Sequence, residues 1–263
     1  MDKTKIDWAD MSWNPVTGCR HGCEYCYARR IAERFGGYDG RDGITTHNPL
    51  KRAELTQPLT ITRANGKTVN SPYPFGFEPT HHRYRLVEPA RKQRPRNIFV
   101  GSMTDLFGAW VPAAWIRDVL DACAAATQHN YMFLTKNPGR YVELDRMALL
   151  PRESNYWYGT TVTGPEQEYF YSEHHKTFLS IEPLLRPMGE NATALDGVDW
   201  VIVGAMTGPG SEKHRPERAW VEDIVEQCWE KNIPVFMKGN LSPVWGEPII
   251  QEFPPELKRE ERE

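Results

Sequence analysis

The sequence predicts an α/β fold made of parallel βα units, closed as a barrel or left as an open doubly wound sheet. Three observations predict it. Six short runs rich in β-branched and aromatic residues are apolar on both faces, as strands buried in a parallel sheet are. Amphipathic stretches with three- and four-residue apolar spacing alternate with them. No segment recurs at a fixed period, which sets solenoids and propellers aside.

A first strand is expected at about Trp13 to Thr17 and a first helix at about Tyr25 to Arg34. The six runs follow: NIFVGSM from Asn97, YMFLTK from Tyr131, YWYGTTV from Tyr156, TFLSIEP from Thr177, WVIVGAM from Trp200 and IPVFMKG from Ile233. Between them, VPAAWIRDVLDACAAATQ opens with Pro112 near a helix start and spaces Ile116, Val119, Leu120 and Cys123 on one face. PGRYVELDRMALL is a shorter helix, and ERAWVEDIVEQCWEKN is strongly amphipathic around Trp220, Ile224 and Cys228. The connections after Tyr169 and after Met188 are short for helices. The count is six or seven βα units. Residues 36–96 are too long for an ordinary βα connection. They hold a hairpin turning at Asn65-Gly66, a proline-rich SPYPFGFEP and a basic run, and read as an inserted cap on one domain spanning 1–263.

Composition narrows the class of function. The 263 residues are 40% hydrophobic with nine Trp, enough for a large core. A formal net charge of −3 gives no global signal for nucleic acid or membrane, so such a contact would need a local patch. There is no signal-peptide pattern and no window near the ~18 apolar residues of a spanning helix; the expectation is a soluble, cytoplasmic chain. Of five cysteines, Cys123 and Cys228 fall on apolar helix faces and read as core residues.

The other three crowd into WNPVTGCRHGCEYCYARR, where Cys19, Cys23 and Cys26 are spaced C-x3-C-x2-C. Four chemistries use crowded thiols. A structural zinc site takes four ligands, mostly from two separated knuckles, and only one knuckle stands here, with His21 inside it. A thioredoxin-like pair of Cys23 and Cys26 leaves Cys19 without a task. A disulfide network is disfavoured in the cytosol. An iron–sulfur cluster on three thiolates leaves one iron open to a substrate or cofactor.

This spacing, with aromatic Tyr25 just before the third cysteine, resembles the signature of radical S-adenosylmethionine enzymes. The chain further resembles a phage- and prophage-associated radical-SAM-like family of unknown function, through WNPVTGC, CEYCYA, NIFVGSMTDLF, QHNYMFLTKNP, FLSIEPLL, WVIVGAMTGPG and VFMKG. That family often has a longer gap between the first two cysteines. It also often reads GGESGPG where this chain has Gly204-Ala205-Met206-Thr207-Gly208-Pro209-Gly210, without an acidic side chain. The resemblance implies a whole or partial TIM-like βα barrel. Cys19, Cys23 and Cys26 would ligate a 4Fe–4S cluster whose open iron chelates S-adenosylmethionine. Reductive cleavage would yield a 5′-deoxyadenosyl radical that abstracts hydrogen, with the electron from an external flavodoxin- or ferredoxin-like donor. Tyr25 would pack near the adenine.

Reacting groups in such barrels gather at the C-terminal strand ends. The polar residues there are Ser102, Thr104 and Asp105; Thr135 and Lys136; Thr160 and Thr161; Ser180 and Glu182; Thr207; and Lys238. Ser102, Thr104 and Asp105 occupy the position expected to contact the methionine moiety. Thr161, Glu182 and the Gly204 backbone are candidates for ribose and adenine. Lys136, Glu182 and Lys238 must pair with one another or meet a charged ligand. Finally, HHRYRLVEPARKQRPRN places Arg83, Arg85, Arg91, Lys92, Arg94 and Arg96 against a single Glu88. That run is either a solvated connector or a nucleic-acid patch, which makes a nucleic acid or nucleotide the first candidate substrate. The rival reading is a non-enzymatic module in which a structural metal supports binding of nucleic acid or a partner protein.

Overall fold

The computed structural model describes residues 1–39, 54–189, 195–208 and 210–258. Its main sheet has eight strands in the order β1 (Asp2–Lys3), β2 (Met11–Trp13), β8 (Asn97–Val100), β9 (Asn130–Thr135), β10 (Tyr156–Val162), β11 (Lys176–Ile181), β12 (Trp200–Val203) and β13 (Val235–Met237). Only β1 is antiparallel to its neighbour; the other seven strands run parallel. All six apolar runs therefore form parallel strands, each pairing with the next in sequence order.

Alternation along each strand explains why these runs are apolar on both faces. Ile98, Val100, Tyr131, Phe133, Tyr156 and Tyr158 pack with Ile116, Val119 and Cys123 of α2 (Ala113–Ala124) and Tyr141 and Leu144 of α3 (Gly139–Arg146). Leu179, Ile181, Val201, Val203 and Val235 pack with Val221, Ile224 and Cys228 of α4 (Arg218–Glu230). The opposite face closes on itself: Phe99, Met132, Trp157, Phe178, Trp200 and Phe236 meet around Trp8, which sits 4.7 Å from Phe99 and 6.4 Å from Trp200 between ring centres. The helices thus lie on one face and an aromatic core fills the other. Cys123 and Cys228 are fully buried. Among the described residues, no helix is long and apolar enough to cross a membrane.

Two expectations change. The predicted first strand, Trp13 to Thr17, is two strands in two sheets. Pro15 cannot donate to a ladder, and the chain leaves the main sheet there; β3 (Val16–Thr17) pairs instead with β7 (Thr80–His82), which also holds β4 (Glu54–Leu55). In addition, β10 joins β11 without a described helix, so that connection is not a βα unit. The hairpin turning at Asn65-Gly66 is present as β5 (Thr60–Thr62) and β6 (Thr68–Asn70). Pro209 of the Gly204–Gly210 stretch, residues 40–53 of the expected cap, and residues 190–194 and 259–263 lie outside the described residues.

Candidate active site

The C-terminal ends of the parallel strands frame one cavity of about 250 Å³. Of the residues singled out from the sequence, Cys19, Cys23, Cys26, Tyr25, Ser102, Thr104, Asp105, Lys136, Thr161, Glu182 and Lys238 all line it. Gly204 lies behind it, under Glu182 and Lys238: a Cβ there would stand 2.9 Å from Lys238 Cδ and 3.1 Å from Glu182 Cδ.

The cysteine loop is strapped down at both ends. Gly18 has φ of 89°, and a Cβ on it would sit 2.3 Å from the Glu78 carbonyl oxygen, so the close approach of the insertion requires glycine. Gly18 N donates to Met103 O at 2.9 Å and its carbonyl accepts from Thr104 Oγ1 at 2.6 Å. Cys19 N donates to Phe77 O at 3.1 Å. At the other end Cys26 N donates to Cys23 O at 3.1 Å, and Cys26 caps α1 (Tyr27–Phe35), its Sγ accepting from Arg29 N at 3.4 Å. Cys19 and Cys26 pack against an apolar wall of Ala28, Phe77 and Met103.

That wall affects the thiols. Burial, with repulsion from Asp105, Cys26 and Cys23, pushes Cys19 up to about 11 despite a hydrogen bond at the His21 backbone. A raised thiol pKa means that at pH 8 Cys19 is held mainly as the thiol. In metal-free protein, iodoacetamide is expected to label Cys19 slowly at pH 8 and ever faster through pH 10. Peptide mass spectrometry across that range would read the rate, and a plateau below pH 9 would contradict this environment.

The donor set discriminates between metals. Among the described residues, no three Cys, His, Asp or Glu side chains converge closely enough to hold one ion. Tetrahedral zinc with Zn–S bonds of ~2.3 Å needs sulfurs about 3.8 Å apart. A 4Fe–4S cube spreads its thiolates over three irons, so it accepts sulfurs distributed along a wall. Three free thiols that line one cavity, two of them against an apolar surface, fit that group.

Asp105 binds the strand ends together. Its Oδ1 accepts from Thr135 Oγ1 at 2.7 Å and Phe107 N at 3.1 Å; its Oδ2 accepts from Lys136 N at 2.9 Å and lies 2.7 Å from His21 Nε2. The carboxylate is buried and fully occupied, so this candidate positions the cavity wall and the cysteine loop rather than offering a free acceptor. His21, read from sequence only as a poorly placed zinc ligand, is the loop's half of that contact and sits edge-on to Trp110. Ser102 is likewise engaged: Asn14 Nδ2 donates to Ser102 Oγ at 3.1 Å, and Asn14 Oδ1 accepts from Met103 N at 2.9 Å. Sequence reasoning missed Asn14. It also missed Asn240, whose side chain grips Ala205 N and O at 3.1 and 2.8 Å and so shapes the turn after β12.

The two lysines differ. Lys238 Nζ donates to Glu182 Oε1. Lys136 forms no ion pair among the described residues; its ammonium lies 5.6 Å from the centre of the Tyr25 ring. Burial lowers its pKa, while Cys23, Asp105, Cys19 and Glu182 pull the other way. Burial also raises Tyr25 to about 12, helped by Cys23. The site thus combines three thiols, a desolvated cation and an aromatic ring.

The basic run is split by the fold. Arg83 pairs with Glu54 and Asp118, and Arg85 donates to the Asn14 and Pro72 carbonyls. Arg91, Lys92 and Arg94 are exposed and, with Arg96, lead into the N-terminal end of β8, opposite the cavity.

No curated protein matches the chain. Among solved structures it is similar to spore photoproduct lyase bound to dinucleoside spore photoproduct, at 12% identity and a TM-score of 0.44, covering 88% of this chain and 63% of that one. It is similar to a form of the same lyase holding AdoMet and the dinucleoside, at 12% identity and a TM-score of 0.45, covering 88% and 64%. The chain thus spans less than two thirds of those neighbours. A family model described as "Protein of unknown function (DUF5131)" matches residues 3–253. With nearly its whole length matched, the chain belongs to that family.

Proposed function

We propose that this protein is a radical S-adenosylmethionine enzyme in which Cys19, Cys23 and Cys26 hold a 4Fe–4S cluster. The supporting observation is placement. The C-x3-C-x2-C loop follows the first parallel strand by way of β3 and caps a helix with its third cysteine. It opens into one cavity with polar residues from the ends of every later parallel strand. In this reading the open sheet is a partial TIM-like βα barrel and the described residues of the 36–96 insertion form its cap. When bound, the cluster supplies the electron that cleaves S-adenosylmethionine reductively, giving the 5′-deoxyadenosyl radical that takes a hydrogen atom from substrate.

The chain's own residues have distinct tasks. Asp105 and His21 hold the cysteine loop, and Phe77 and Met103 keep water from the thiols. Lys136 offers a positive charge to the anionic groups that gather there. Ser102 and Thr104 present backbone and hydroxyl groups toward the methionine moiety, and Tyr25 lies beside the adenine. Thr161, Glu182 and the Gly204 turn, with Lys238 fixing the Glu182 carboxylate, serve the ribose and adenine. The electron comes from a flavodoxin- or ferredoxin-like donor. The rival metal-stabilised binding module is less well supported, because the thiols are not drawn together for a single ion.

Anaerobic reconstitution with iron and sulfide, followed by S-adenosylmethionine and dithionite, tests the reading. The expected result is broad absorption near 400 nm (roughly the usual range for such clusters) and release of 5′-deoxyadenosine. One equivalent of zinc and no iron–sulfur absorption would overturn it.

A further inference from the structure

We propose that the outer face of α1 is a docking surface for single-stranded nucleic acid, delivering it to the cysteine cavity. This deepens the proposed function by naming a substrate class, and it moves that contact away from residues 91–96. The helix buries Ala28 and Ala32 against Phe77 and Met103. Its other side leaves Tyr27, Ile31 and Phe35 exposed, at 44%, 37% and 50%. Four-residue spacing aligns the three on one stripe, about 12 Å long at 1.5 Å per residue. Large side chains so aligned and part-exposed form one contiguous patch of the kind that partners cover.

Charge specifies the partner. Arg30 and Arg34 are exposed along this stripe and form no ion pair among the described residues. Arg34 lies over the Phe35 ring at 5.2 Å, which presents cation and aromatic face together. Arg63 and Lys67 are exposed at the tip of the adjoining hairpin, which Asp39 ties to the end of α1 through Thr62 N at 2.8 Å. Flat rings set among unpaired cations suit a phosphate backbone with splayed bases, and the rings accept any base. The stripe also leads to the site: Tyr27 lines the cavity, and its hydroxyl donates to Ser102 O at 2.7 Å. A Cβ on Gly208 would stand 2.7 Å from Arg30 Nη2, so the turn after β12 forms the opposite bank. By contrast, a strand held by Arg91, Lys92, Arg94 and Arg96 would lie at the far end of the sheet.

Anisotropy of a fluorescein-labelled single-stranded oligonucleotide, measured on the full chain with and without reconstituted cluster, provides the test. Arg30→Glu with Arg34→Glu should weaken binding at least tenfold. The magnitude of its log–log salt slope should fall by about 1.4, or about 0.7 per lost phosphate contact. Phe35→Ala should cost roughly tenfold by removing a stacking platform. Changing Arg91, Lys92, Arg94 and Arg96 together to Glu should alter affinity less than twofold, and circular dichroism should confirm that each variant is folded. Unchanged binding by the α1 variants, no binding by the unaltered chain, or equal displacement by polyglutamate would overturn the proposal. Because binding is read with and without cluster, a failure here is separate from a failure to assemble iron and sulfide.

Discussion

Replacing Cys19, Cys23 and Cys26 together with alanine is expected to reduce reconstituted iron from about four atoms per chain to below one. It should also abolish 5′-deoxyadenosine formation while leaving the fold intact. The second half is what makes the experiment informative. Among the described residues the thiols are lightly tied: Cys26 Sγ accepts from Arg29 N, Cys19 meets the His21 backbone and Cys23 meets Tyr25, and losing an N-cap of the Cys26 kind costs about 1 kcal/mol. The loop keeps its other straps at Gly18, Thr104 and Phe77, which are made by backbone atoms and a threonine hydroxyl. A melting temperature lowered by about 2–4 °C would match that cost. Iron retained by the triple variant would place the ligands elsewhere in the chain.

Asp105→Ala has the opposite profile: a large loss of stability from a residue with no thiol chemistry. The substitution strands the buried Thr135 hydroxyl and Phe107 amide and the part-buried Lys136 amide and His21 ring. Removing one partner of a buried charged network costs about 3–5 kcal/mol, so melting should fall by about 10 °C. Asp105→Asn keeps the volume but turns a donor toward two of those donors, at about 1–3 kcal/mol. Iron uptake should fall in both variants because His21 no longer anchors the loop. Thermal melting and iron analysis check both effects. A melting temperature for the Asn variant equal to that of the unaltered protein would contradict the positioning role.

The strands were legible because being buried on both faces leaves an unmistakable apolar run, and the order along the chain is also the order across the sheet. The cysteines were legible from spacing alone. The strand-end residues were legible as a set because parallel strands all deliver their last polar side chain to one end; their individual tasks were not. Asp105 reads from sequence as one of three strand-end candidates for the methionine moiety, and its hydrogen bonds to residues 21 and 135 are contacts that sequence does not display. Asn14 was invisible because its meaning lies with Ser102 and Met103, eighty-eight and eighty-nine positions away. The basic run read as one patch because sequence adjacency hides where a chain crosses from one end of a sheet to the other.

The aromatic core on the inner face has one more effect. Trp8, Phe99 and Leu134 both line the cavity and belong to the packed layer beneath it, so they form an apolar floor. On that side the cavity meets packed rings, while its thiols and charged side chains come from the strand ends. A flat ring resting on that floor would meet apolar faces below it and thiols and charges beside it, so one cavity offers two solvents to the two ends of one ligand.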